Sequence, residues 1–132
     1  MAKILIVDDN ALNREVLRLV LEGGDHLIEE AEDGDIALAF DLSAFDLVLT
    51  DIFMPHVSGY EVIGGAVAAG VPVVAVSGGD RLSGEDPLVE ALNRGALLAL
   101  RKPFSGAQVL GAVAECIAGT PPRPRVIEYV RG

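Results

Sequence analysis

Short, unbroken apolar runs alternate with longer amphipathic stretches along this chain, and that alternation leaves few folds open. The first run, Ile4-Leu5-Ile6-Val7, has no polar residue at alternate positions, as expected of a strand covered on both faces. Ala11 to Glu22 reads as a helix, with Asn10 as its cap and Leu12, Val16, Leu19 and Val20 as its apolar stripe. Gly23 and Gly24 stop it. A second strand is expected over His26 to Ala31, a turn at Asp33-Gly34, and a short helix from Asp35 to Leu42. Leu47 to Thr50 forms a third strand that ends at Asp51.

The pattern then repeats. Gly59 to Ala69 is a weak third helix, because Gly64 and Gly65 each cost about 1 kcal/mol relative to alanine. Pro72 to Val76 is a fourth strand, followed by a loose segment, Ser77 to Glu85, rich in Gly, Asp and Ser. Asp86-Pro87 starts a helix that ends near Arg94. Ala96 to Leu100 is a fifth strand, and Ser105 with Gln108 makes a capping box for a last helix ending near Ala118. The tail changes character: Thr120-Pro121-Pro122-Arg123-Pro124 is extended, and the stretch from Arg125 to Arg131 holds strand formers. Two outcomes stay open for it, a frayed end or packing on this domain or on a second copy. The division expected is a domain over residues 1–118 and a Pro-rich tail over 119–132.

At 132 residues, one α/β domain is the natural size. The formal net charge of -10 argues against direct nucleic-acid binding, which needs a basic face. A lone cysteine, Cys116, rules out an intrachain disulfide, and a reducing cytoplasm is the expected location. Neither a signal peptide nor a membrane span is legible; the longest low-charge stretch, Val62 to Gly79, is broken by glycines and Pro72. His26 and His56 are too far apart in sequence to suggest a transition-metal cluster and read as incidental.

Ligands of open parallel sheets bind beyond the carboxyl ends of the strands. Those ends carry Asp8 and Asp9, Asp51, Ser77, and Lys102 two residues past the fifth strand. Three crowded carboxylates repel one another unless a cation intervenes. A hard divalent ion such as Mg²⁺ suits oxygen ligands of this kind. An aspartate can attack phosphorus to give an aspartyl-phosphate. Lys102 supplies a point charge and Ser77 a hydroxyl for phosphoryl oxygens.

Taken in order, Val7-Asp8-Asp9-Asn10, Asp33-Gly34, Asp51-Ile52-Phe53-Met54-Pro55, Gly59, Ser77-Gly78, Gly95-Ala96 and Lys102-Pro103-Phe104 resemble the hallmarks of the response-regulator receiver family. The resemblance covers about residues 3–118. It implies a (βα)5 flavodoxin-like three-layer sandwich with a five-stranded parallel sheet of order 2-1-3-4-5. It further implies that Asp51 is the phosphorylated residue and that Asp8, Asp9, Asp51 and the backbone carbonyl of Phe53 hold Mg²⁺. Ser77 and Lys102 match the family's phosphoryl contacts, and the Lys102-Pro103 bond is expected to be cis by the same analogy.

One departure bears on signalling. The family usually has Tyr or Phe three residues before the lysine, and here that residue is Ala99. Alanine has no rotamer to switch, so we expect the segment Ser77 to Glu85 to order or shift on phosphorylation instead. The function expected is a phosphoacceptor switch, a stand-alone regulator that takes its phosphoryl group from a sensor histidine kinase or a histidine phosphotransfer protein and signals to a downstream protein. Homodimerisation is left open. A receiver-fold binding module that works without phosphorylation is the alternative. A turnover phosphatase is disfavoured, because such enzymes usually carry a second acid two residues after the nucleophile, where this chain has Phe53.

Overall fold

The computed structural model describes residues 2–78 and 86–128. Strands β1 (Lys3–Val7), β2 (Leu27–Ala31), β3 (Leu47–Asp51), β4 (Val73–Ser77), β5 (Leu98–Arg101) and β6 (Arg125–Ile127) form one sheet of order β2-β1-β3-β4-β5-β6. Every pairing is parallel. Helices α1 (Ala11–Gly23), α2 (Gly34–Ala39), α3 (Gly59–Ala68), α4 (Pro87–Asn93) and α5 (Gly106–Ile117) cover its two faces. Strand side chains alternate between those faces. Leu5, Val7, Val48, Ala75 and Ala99 pack with residues of α2, α3 and α4. Ile4, Ile6, Leu49, Val74 and Leu100 pack with residues of α1 and α5. This is the three-layer sandwich expected, with one strand more.

The caps of α1, α4 and α5 stand where the sequence signals put them. The Asn10 side chain accepts from the Asn13 N–H at 3.0 Å. Asp86 caps α4 ahead of Pro87. Both halves of the Ser105–Gln108 capping box are present. The Asp35 to Leu42 helix is corrected to Gly34–Ala39, with a separate 3-10 turn at Leu42–Ala44. Phe40 breaks it: its backbone is extended, and its ring packs edge-on to Phe45, 5.7 Å between centroids.

The apolar face expected of α1 is corrected in part: of the expected stripe, Val20 packs against the core. Leu17 and Leu21 are its buried residues, whereas Leu12, Val16 and Leu19 are exposed. Arg14 and Arg18 both reach Glu30 on β2, at 3.1 and 2.6 Å. Arg14 also donates to the Asp8 carbonyl at 2.7 Å. Leu17 and Leu21 face the sheet, the arginine flank lies beside them, and the Leu12–Val16–Leu19 stripe faces outward.

The tail joins the sheet through β6. Tyr129 and Val130, expected to extend that strand, lie outside the described residues, as does most of the loose segment from Ser77 to Glu85 and with it the expected ordering of that loop. Among the described residues, no helix is long and apolar enough to cross a membrane.

Candidate functional site

The carboxyl ends of β1, β3, β4 and β5 place the expected site residues together. Asp8 is fully buried just past β1, Asp51 closes β3, and Ser77 closes β4. Asp8, Asp9 and Asp51 each present a carboxylate oxygen within 4.8 Å of the others. The Lys102 ammonium lies 3.5 Å from an oxygen of Asp8 and 3.5 Å from one of Asp51. Lys102 is held there by its backbone N–H, which donates to the Ser77 carbonyl at 2.9 Å, and the Lys102–Pro103 peptide is cis as expected. Phe53 stands two residues after Asp51 with an exposed side chain.

The electrostatics are those of crowded carboxylates beside one ammonium. Burial pushes the Asp51 carboxyl above its ordinary pKa; Lys102 works against the rise, and the charges of Asp8 and Asp9 add to it. One Asp51 oxygen accepts from the Ile52 N–H at 2.8 Å. One Asp8 oxygen accepts from the Asn10 N–H at 2.9 Å, while the other is buried without a hydrogen bond and faces the Lys102 ammonium at 3.5 Å. A buried carboxylate oxygen held only by a distant ammonium is incompletely satisfied. An oxygen-seeking divalent cation would satisfy it, so the donor set fits Mg²⁺.

Asp33, which the sequence marks as a turn residue and as part of a family motif, has a structural role that neither signal specifies. Its carboxylate accepts from the N–H groups of Gly34, His56 and Val57, at 2.7, 3.2 and 2.9 Å. It thereby caps α2 and ties it to the loop that leads away from Asp51. The His56 imidazole lies 3.2 Å from the same carboxylate. Asp before a helix is a recognisable cap signal; the link to a loop 23 residues away has no signature in sequence.

Burial pushes the Asp33 carboxyl up, but hydrogen bonds from Val57, His56 and Gly34 outweigh it and hold the pKa at about 2. A depressed carboxyl stabilises the fold fully above its unfolded value, near 3.8, and loses that contribution as pH falls toward about 2. The stability gap between wild type and Asp33→Asn, measured by urea titration, should therefore narrow as pH falls across that window. A gap independent of pH would assign Asp33 to packing alone.

Cys116 is buried, and burial pushes its thiol up to about 11, which suits an inert apolar filler.

Known proteins are similar to this chain in sequence and fold. The family model for the response regulator receiver domain matches residues 4–114. The response regulator protein FleR of Pseudomonas aeruginosa is 32% identical over 122 residues, which cover 92% of this chain and 26% of FleR. The response regulator MprA of Mycolicibacterium vanbaalenii is 34% identical over 125 residues, 91% of this chain and 52% of MprA. The chain thus spans about a quarter to a half of these curated relatives. Among solved structures, a CheY-like receiver domain protein of Methanospirillum hungatei superposes with a TM-score of 0.77 at 27% identity, covering 89% of this chain and 94% of that one. The chemotaxis protein CheY4 of Vibrio cholerae gives a TM-score of 0.74 at 28% identity, over 86% of this chain and 97% of that one. With the family match running through all five βα units of the sheet, this chain belongs to the response regulator receiver domain family.

Proposed function

We propose that the domain is a phosphoacceptor switch of a two-component or phosphorelay system, with Asp51 as the acceptor. The observation that carries this reading is the placement of Asp51: its carboxylate faces the Lys102 ammonium at 3.5 Å and shares one edge of the sheet with buried Asp8 and exposed Asp9. The donor would be a phosphohistidine of a sensor histidine kinase or phosphotransfer protein. An Asp51 oxygen would attack phosphorus, the P–N bond would break, and its electrons would leave with the imidazole. Lys102 would neutralise charge on a phosphoryl oxygen. The Ser77 hydroxyl, on the neighbouring strand, would donate to another.

Asp8, Asp9, Asp51 and the Phe53 carbonyl would hold Mg²⁺. When bound, that ion offsets the carboxylate repulsion and the charge that develops on the phosphoryl group. The protein would act on itself and would not turn over a substrate.

Incubation with Mg²⁺ and a small-molecule phosphodonor, followed by intact-mass measurement, tests the reading. We expect one phosphoryl group per chain with Mg²⁺ and none when EDTA replaces it. No gain in Mg²⁺ would reject the acceptor role in favour of a binding module that works without phosphorylation.

A further inference from the structure

The edge of β5 is occupied by the chain's own tail. Leu98, Ala99 and Leu100 pair with Arg125, Val126 and Ile127. Val126 packs on the cluster that contains Ala99, and Ile127 packs on the cluster across the sheet. The contact is therefore a docked strand with a side chain seated on each face. Ionic and polar contacts flank it: Arg125 reaches Glu115 of α5 at 2.7 Å, and the Gln108 amide donates to the Glu128 carbonyl at 3.0 Å.

One residue joins this strand to the acceptor site. Arg101 ends β5 directly before Lys102 and stands opposite Ser77 in the β4–β5 pairing. Its guanidinium is shared between two carboxylates. One pair of contacts goes to Asp86, the cap of α4, with the longer at 3.3 Å. The other goes to Glu128 of the tail at 2.8 Å. The two holds are unequal. Asp86 is largely buried and fixed by its own bond from the Leu88 N–H, whereas Glu128 is half exposed. Exposed ion pairs contribute little and are easily exchanged.

We propose that residues 125–128 are a self-docked regulatory strand, and that Arg101 couples its grip on β5 to the state of Asp51. The inference rests on the proposed acceptor role of Asp51. A phosphoryl group there would draw Lys102 and Ser77 inward. Arg101, bonded to the one and paired across the sheet with the other, follows. It keeps Asp86 and gives up Glu128, so β6 loosens from the β5 edge. This supplies a readout that needs no aromatic ring at Ala99: the freed β5 edge and the freed tail are both surfaces that the unmodified protein hides.

Hydrogen–deuterium exchange of peptides covering 120–128, on the full chain with Mg²⁺ and a small-molecule phosphodonor, tests the coupling. Intact mass is read from the same samples. We expect exchange there to rise at least about threefold on phosphorylation, as for a segment released from a sheet edge. Asp51→Asn should show no change. Glu128→Gln, an exposed and conservative substitution, should exchange faster from the start and show no further rise although it still gains the phosphoryl mass. Arg101→Gln should behave alike. A mass gain with unchanged or slower exchange in wild type, or an undiminished rise in Glu128→Gln, overturns the coupling and leaves the acceptor reading intact. Absence of any mass gain overturns the acceptor reading and this inference with it.

Discussion

Asp51→Asn should take up no phosphoryl group and, in EDTA, should be more stable than wild type by about 1 kcal/mol. The two effects share a cause. A neutral amide cannot act as the nucleophile, and it also no longer crowds Asp8 and Asp9. The buried Asp51 carboxyl has its pKa raised, so the folded state holds the anion at a cost even with Lys102 nearby. Asparagine keeps an oxygen that can accept the Ile52 N–H now bonded at 2.8 Å, so the backbone contact survives. Lys102 keeps Asp8 as a partner at 3.5 Å.

Magnesium should reverse the order. A ligand that binds only the native state stabilises it by mass action, and wild type has one more anionic ligand to offer than the variant. Chemical denaturation of both proteins, each in EDTA and in Mg²⁺, checks this. A variant less stable than wild type in EDTA would mean that Lys102 already compensates the cluster, and that no electrostatic cost is held at the site.

The site was legible in sequence because parallel α/β sheets gather one small set of positions, the residues just past each strand. Asp8, Asp9, Asp51, Ser77 and Lys102 all stand there, and finding them required only the strands. What escaped the sequence depends on contacts between distant segments. Nothing local distinguishes Leu17 and Leu21 from Leu12, Val16 and Leu19 as the buried residues of α1. The choice depends on which face meets the sheet, where Leu17 and Leu21 join residues of other elements, with Arg14 and Arg18 pairing to Glu30 at its flank. Arg101 reads as an ordinary strand-end cation until the tail returns beside it, 27 residues later in the chain, with Glu128. β6 is short and follows a proline-rich linker, so its composition could suggest a strand without naming the edge it would pair with. The same limit applies to the two glycines expected to weaken α3. Gly65 has a reason that lies on another helix: a Cβ there would come within 2.6 Å of a Leu38 methyl, and the glycine lets α2 and α3 approach.

Gly59 and Gly64 both belong to α3, and the same change, glycine to alanine, should have opposite signs at the two. A Cβ on Gly59 would stand 1.9 Å from the Asp51 carbonyl oxygen and 2.7 Å from the Ile52 Cα. Both are backbone atoms, which cannot swing aside as a side chain can. The Gly59 N–H also donates to the Ile52 carbonyl at 2.8 Å, so the start of α3 is pinned against the end of β3. Relief requires moving one or the other, and we expect Gly59→Ala to cost about 3 kcal/mol or more. A Cβ on Gly64 meets nothing within 4 Å, so Gly64→Ala should gain up to about 1 kcal/mol from helix propensity and lost chain entropy. Urea unfolding of the two variants reads the difference directly. Because the Gly59 clash falls on the proposed acceptor, Asp51, whatever Gly59→Ala protein remains folded should also take up the phosphoryl group more slowly, while Gly64→Ala should match wild type. Equal stabilities for the two variants would show that β3 and α3 can part without cost. The close approach at Gly59 would then not be what fixes Asp51 against Lys102.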